Sequence, residues 1–312
     1  MHDVDFEQLF STHAEYLWGL CYRMTGNATE AEDLVQDTFA RAIARPPADK
    51  TRPWRPWLTT VATRLCVDAL RRRSLRAYAG PWLPMPVDTP AGSPRLAPID
   101  TAPDAEVRYG ALQSLQLGFL LALEVLSPQQ RAVLLLRDAF GYSGPQTAQM
   151  LEVSPDNVRV MLHRARKAMA HARTREAGSE PASDATVAAM LAKFMAAIAA
   201  DDLEGLTACL TEDAVMRSDG GGEFLAALKP IAGADKIARF YLGVAKHGDV
   251  RAAEIRSING APAVVVVVEP QHPRAARRIV LALELASDGR VAALHSVMAT
   301  AKLSGVSFAG LG

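Results

Sequence analysis

The 312-residue chain has only three cysteines, no net charge and no long apolar run, and each shortage excludes a class of protein. Cys21, Cys66 and Cys209 are far apart and odd in number, and none has metal-ligand spacing. They predict neither a disulfide framework nor a zinc site, and read as small buried residues of a reduced protein. No apolar stretch approaches the roughly 18 residues of a membrane span. The first residues, MHDVDFEQLF, are acidic and lack the basic segment and apolar run of a secretory signal, so a cytoplasmic, membrane-free protein is expected. Walker loops, Rossmann fingerprints and zinc motifs are also missing, and no cofactor or metal is expected. A formal charge of +0 argues against a non-specific coat for nucleic acid.

Local charge is another matter. From Asn157 to Arg175 there is no acidic residue, while Arg159, Arg164, Arg166, Lys167, Arg173 and Arg175 are basic. Arg71, Arg72, Arg73 and Arg76 form a second cluster. Two basic segments in a neutral chain predict two anionic contact points.

Three blocks follow from periodicity, in a chain long enough for two or three domains. Residues 1–76 read as helical. Phe6, Leu9, Phe10, Leu17, Leu20, Cys21 and Met24 share a face, and Gly26-Asn27 ends that helix. Asn27 with Glu30 predicts a capped second helix with Leu34, Val35, Phe39, Ala42 and Ile43 inward and Asp33, Gln36 and Asp37 outward. A third helix is expected from about Trp57, with Leu58, Val61, Leu65 and Ala69 inward and Thr60, Arg64, Asp68, Arg71 and Arg72 outward. Residues 77–104 carry seven prolines and no period, which predicts an extended, largely unpaired linker. Within it Trp82-Leu83 is an apolar pair that needs somewhere to dock.

The second block, 105–176, is again helical. Ser127-Pro128-Gln129-Gln130 is a strong helix start, Gly141 a stop, and Ser143 and Ser154 begin two further helices around a turn at Leu151-Glu152-Val153. In the last helix Val158, Leu162, Ala165 and Met169 form one stripe, leaving Asn157, Arg159, Val160, His163, Arg164 and Lys167 on the other side. That is helix-turn-helix geometry, with base contacts from the first turns and phosphate contacts further along. A short linker follows. The third block, 184–312, places helices before strands, an α+β pattern. Helices are expected at 185–200, 203–210 and 234–245, and strands at 214–217, 251–258, 263–269, 277–285 and 291–298. Five consecutive valines, Val264 to Val268, make a strand apolar on both sides, so both faces of its sheet must be covered.

The segment SPQQRAVLLL…TAQMLEVSPDNVRVMLHRARKAM resembles the region-4 domain of extracytoplasmic-function sigma factors, which reads the −35 promoter element. AEDLVQDTFARAI resembles the region-2 helix that binds the clamp helices of RNA polymerase, and PWLTTVATRLCVDALRRR resembles the helix facing the −10 element. The third block resembles the SnoaL-like branch of the NTF2-like fold, a cone-shaped cavity domain that a subgroup of these sigma factors carries with Trp-Leu-Pro and Asp-Gly-Gly-Gly motifs. Here those motifs are Trp82-Leu83-Pro84 and Asp219-Gly220-Gly221-Gly222.

The resemblance implies two all-α sigma domains followed by an NTF2-like α+β domain. It implies core polymerase contacts at Asp33, Gln36 and Asp37, and −10 contacts at Trp54, Thr60, Arg64, Arg71 and Arg72. Contacts with the −35 element would come from Asn157, Arg159, Val160, His163, Arg164 and Lys167. An interdomain contact would join Trp82–Pro84 to Asp219–Gly222. Asn is usual in the family where Arg64 stands, Met85 replaces an acidic residue, Glu223 replaces Lys, and the family's Asn-Pro-Asp-Lys-Leu ending is reduced to Thr300-Ala301-Lys302-Leu303.

The expected function is therefore promoter-specific initiation tuned in cis by the third domain, with core RNA polymerase and promoter DNA as partners. A small-molecule ligand in the third domain's cavity stays open. A one-component DNA-binding regulator sensing a small molecule is the alternative. Catalysis has only Asp219, His247, Asp249 and His295 as candidates, in no catalytic spacing, so no enzyme activity is expected.

Overall fold

The computed structural model describes residues 5–49, 51–73, 78–90, 116–174 and 182–311. The basic residues Arg76 and Arg175, most of the second linker and residues 91–115 lie outside them. Along the chain run helices α1 (Phe6–Thr25), α2 (Ala28–Ala44), α3 (Trp54–Arg73), α4 (Leu117–Ala122), α5 (Pro128–Leu134), α6 (Gly144–Leu151), α7 (Pro155–Thr174), α8 (Asp184–Ala199) and α9 (Leu203–Cys209). Strands β1 (Leu210–Asp219) and β2 (Ile231–Ala232) follow, then helix α10 (Ala234–Ala245) and strands β3 (Gly248–Ile258), β4 (Ala261–Pro270), β5 (Arg278–Leu285) and β6 (Val291–Val297). The chain divides into two compact units.

The helical unit comprises α1–α3 and the segment from Leu123 to Met169. Its starts are chemically specified. Asp5 and Asn27 accept the N–H groups of Gln8 and Glu30, and α1 stops at Gly26, whose φ of 65° suits a residue without Cβ. Ser127 and Ser143 each close a reciprocal capping box with the Gln three residues on, with Pro in the first turn. Leu17, Leu20, Met24, Leu34, Phe39, Leu58 and Leu65 are buried.

Two members of the expected stripes are exposed instead. Phe10 is exposed and rests its ring against Phe39 at 4.8 Å, and Ile43 is exposed in the last turn of α2. Both sit at the margin of their apolar arc, where a stripe of residues on a narrow helix outruns the surface it faces. Helix α3 also starts three residues earlier than expected. Pro56 is its third residue, where no intrahelical N–H is needed, so the proline does not break it.

The α+β unit has a six-stranded sheet in the order β2-β1-β6-β5-β4-β3, antiparallel except for the β1–β6 pair. Strand β1 is longer than its expected core and begins directly at the end of α9. The valine run is covered on both sides, as its composition demands. Val264 and Val266 face a core with Leu191 and Phe194 of α8, Leu206 of α9 and Ile237 of α10. Val265 faces a second core with Val280 and Val297, completed by Leu83 and by Leu303 and Val306 beyond β6. Leu121 of α4 packs against that second core.

The expectation of a largely unpaired linker fails for 78–90. Leu83, Met85 and Val87 are buried, and the backbone is bonded at several points from Leu83 to Thr89: Val87 exchanges bonds with Asn259, Asp88 N–H donates to Gly305 O and Thr89 N–H to Ser257 O. The segment is extended, as its prolines require, but Pro84 and Pro86 alternate with residues whose N–H groups are free to donate. Leu83 and Val87 use theirs to bind the sheet.

Candidate functional sites: the helix-turn-helix face and the docked linker

In the helical unit, α6 and α7 are joined by a turn in which Glu152 adopts φ 56°. Val133, Ala148 and Val158 form the small core under that turn, with Leu151, Val153 and Leu162 against it. Val158, Ala165 and Met169 point inward, which leaves Asn157, Arg159, Val160, His163, Arg164 and Lys167 exposed on one side of α7. Arg159 pairs with Asp156 at 3.1 Å, but both side chains are more than 80 % exposed, so the pair holds little energy. Arg166 differs: it grips Asp138 with two bonds of 3.0 and 2.6 Å, and this part of the basic run ties α7 to the turn after α5.

The outward residues of α3 are more engaged than the sequence indicates. Arg64 reaches across to the helix-turn-helix turn, donating to Met150 O at 3.2 Å and meeting Glu152 at 2.9 Å. Thr60 is half-buried, its hydroxyl donating to Pro56 O, and Arg71 pairs with Asp68 at 3.5 Å. Arg72 is exposed. Trp54 opens α3, half-buried between Phe6 and Trp57 in edge-to-face contacts of 6.2 and 5.9 Å. Asp33, Gln36 and Asp37 are exposed together on α2.

Sequence reasoning missed two buried polar centres. Arg131, almost fully buried, donates to Met24 O and Leu123 O at 2.7 and 2.9 Å and meets Glu124; burial lowers its pKa. The Tyr142 hydroxyl bonds those of Tyr16 and Thr59, each at 2.9 Å. Neither centre has a sequence motif, because the partners of Tyr142 are 83 and 126 positions away and Arg131 is held largely by backbone carbonyls.

In the α+β unit the docked linker converges on Asp219, the buried last residue of β1. Its carboxylate accepts from Leu83 N–H at 2.8 Å, the Tyr78 hydroxyl at 2.7 Å and Gly221 N–H at 3.1 Å. The Lys302 ammonium completes the set, 2.5 Å from the carboxylate and 2.5 Å from Leu83 O. It also lies over the Tyr78 and Trp82 rings at 4.7 and 4.4 Å, which adds cation–π attraction. Desolvation and the adjacent carboxylate push the Tyr78 phenol far above its usual range, so it stays a donor.

The glycines of the motif have a geometric reason. Gly221 and Gly222 have φ of 60° and 79°, and a Cβ on Gly221 would stand 2.9 Å from Ala299 Cβ. Trp82 is half-buried and Leu83 enters the core. Lys302 was the residue the sequence reading did not single out, although the Lys-Leu pair of the family's ending survives here as Lys302-Leu303.

The catalytic candidates do not converge. Asp219 is held by the linker and Lys302. His295 bonds Glu284 at 2.7 Å, and β6 alternation puts it on the opposite side from Ser296. His247 lies beside His272, ring centroids 5.6 Å apart, and Asp249 accepts from Gln271 at 2.9 Å. Among the described residues no His, Cys, Asp and Glu group has a metal-site arrangement, and no helix is long and apolar enough to cross a membrane.

Three family models match in series: Sigma-70 region 2 over residues 9–76, Sigma-70 region 4 over 117–169 and the SnoaL-like domain over 191–302. The chain is 34 % identical over 265 residues to the ECF RNA polymerase sigma factor SigJ of Mycobacterium tuberculosis, covering 80 % of this chain and 78 % of that protein. The chain belongs to the ECF RNA polymerase sigma factors. Another relative, SigG of the same organism, is 34 % identical over 227 residues, covering 66 % of this chain and 60 % of its own. The crystal structure of Mycobacterium tuberculosis SigJ superposes with a TM-score of 0.73 at 27 % identity, covering 98 % of this chain and 99 % of that one. This sigma factor therefore shares its whole helical and α+β architecture with a solved member of the family.

Proposed function

We propose that the protein is a promoter-specificity subunit that binds core RNA polymerase and promoter DNA in the cytoplasm, and that its SnoaL-like domain controls this activity in cis. The carrying observation is that one chain joins a region 2 match with a polar α2 face to a region 4 match with a basic α7 face. Asp33, Gln36 and Asp37 meet the polymerase clamp. Asn157, Arg159 and Val160 in the first turns of α7 read bases of the −35 element, while His163, Arg164 and Lys167 contact phosphates. Trp54, Thr60, Arg64, Arg71 and Arg72 serve the −10 element. Arg64 must release Met150 and Glu152 to do so, a small cost for a pair with exposed side chains.

Control in cis is supported by the hold on the linker. Residues 78–90, which join regions 2 and 4 in sequence, are fixed to the third domain through Asp219, Asn259 and Lys302. Any change in that hold alters how freely the two promoter-reading regions can separate. The SnoaL-like cavity gives the control an input, a small molecule bound in the third domain. The domain works as a regulator and not as a catalyst, since Asp219 and His295 are already committed to other partners.

The test is binding of the full chain to purified core polymerase, with an Asp33→Arg, Asp37→Arg variant as the control. The proposal expects association for the first and loss for the second, with unchanged thermal unfolding. Equal binding by both would remove the α2 assignment, and no binding by either would remove the function.

A further inference from the structure

The sheet face covered by α8 and α10 is not fully filled. It holds a cavity of about 120 Å³ whose walls are largely apolar, among them Met195, Ile198, Phe240, Val266 and Leu281. Three hydroxyls interrupt this apolar wall: Ser218 of β1, Ser296 of β6 and Tyr241 of α10. Ser218 and Ser296 are register partners on neighbouring strands, so they stand side by side on one face, and both are buried. Tyr241 Oη and Ser296 Oγ share one hydrogen bond of 2.8 Å. Ser218 Oγ accepts from Ala227 N–H at 2.8 Å.

Counting donors shows what is unused. The Tyr241–Ser296 pair has two hydroxyl hydrogens and one bond, and the Ser218 bond uses only a lone pair. Two O–H donors therefore have no acceptor among the described residues. Buried donors are normally satisfied, so an acceptor belongs in this space. Burial pushes the Tyr241 phenol well above its usual range, so it remains protonated.

We propose that the cavity binds a small neutral molecule of about one ring, apolar over most of its surface and carrying a carbonyl-type acceptor that the Ser218, Tyr241 and Ser296 hydroxyls engage. Size follows from volume: an apolar cavity of about 150 Å³ holds a benzene, and this one is slightly smaller but open at one end, so a single ring fits with its substituent toward the opening or the hydroxyls. Neutrality follows from the lining, which contains no Lys or Arg. An anion would be desolvated there without a counter-charge. His247, exposed beside Ala245 and Val250, is the one imidazole of the lining and marks the mouth. This inference deepens the reading of the cavity as a ligand site and is independent of polymerase binding.

The experiment uses the full chain and three probes of one size: acetophenone, ethylbenzene and benzoate, followed by ligand-observed saturation-transfer NMR. Acetophenone should bind saturably and about 2- to 10-fold more tightly than ethylbenzene, the worth of one ordinary hydrogen bond. Benzoate should bind at least about tenfold more weakly than acetophenone. Tyr241→Phe keeps the ring and should reduce the preference for the ketone while ethylbenzene affinity stays unchanged. Ala245→Trp, at the exposed rim, should abolish binding of all probes without altering the melting temperature.

Absence of acetophenone binding up to its solubility limit would overturn the proposal, as would binding that survives Ala245→Trp or benzoate binding as tight as that of the ketone. Core-polymerase binding by the same preparation, without probe, separates the two readings. Its loss strikes the sigma assignment and leaves the cavity result standing.

Discussion

Replacing Asp219 by Asn should undock the linker more than any other single substitution of this size. The carboxylate accepts three hydrogen bonds and pairs with an ammonium that is itself buried. Asn keeps one acceptor oxygen but turns an amide donor toward Lys302 or Leu83 N–H, leaving a buried cation without its counter-charge. Removing one partner of a buried pair costs about 3–5 kcal/mol. At 1.36 kcal/mol per factor of ten, that is a loss of roughly two to four orders of magnitude in the stability of the docked state.

The Leu83 amide reports this directly, since it donates to Asp219. Its hydrogen-exchange protection should fall by about 10²- to 10⁴-fold. Lys302→Met in the same chain should restore part of that protection, because the stranded charge is gone. The double variant should therefore be better protected than Asp219→Asn alone, with a coupling of about 2 kcal/mol. Unchanged exchange at Leu83, or two effects that simply add, would refute the reasoning.

Arg131→Met should destabilise the helical unit by about 3 kcal/mol, because the carbonyls of Met24 and Leu123 lose their donor inside the core, and chemical denaturation measures it. Ser143→Ala should cost about 1 kcal/mol through the loss of the α6 capping box, read by the same method. Lys167→Ala should weaken promoter-fragment binding by polymerase holoenzyme about equally for all sequences and lower the salt-dependence slope by roughly one. Arg159→Ala should instead relax base preference at one −35 position by about 1–3 kcal/mol, measured by competition between single-base variants.

How much of this was legible depended on whether a contact is local. The helices of both sigma regions follow from caps at Asn27, Ser127 and Ser143 and from stripes such as Val158, Ala165 and Met169, all within a few residues of one another. The α+β order and the two-sided burial of Val264–Val268 could also be read, because a strand's alternation states which faces need cover. What covers the second face could not. Leu83 is far in sequence from Val265 and Leu303, and no local pattern encodes that meeting.

Proline density suggested a solvated linker, yet the alternation of Leu83, Met85 and Val87 with Pro84 and Pro86 was the signal of a buried extended strip. The motif residues Trp82–Pro84 and Asp219–Gly222 were visible by resemblance, but the role of Lys302 emerged only when the chain end folded back onto Asp219. Arg64 shows a further limit of local pattern. Its outward position on α3 was legible, but its contact with the turn of another helix pair was not.

Run-off transcription by core polymerase plus the full chain, on a library of promoter fragments, tests the central assignment most directly. The account predicts transcripts that start at a defined distance from a shared pair of upstream elements and that disappear when the chain is omitted. A chain that neither joins core polymerase nor changes which fragments are transcribed would contradict it.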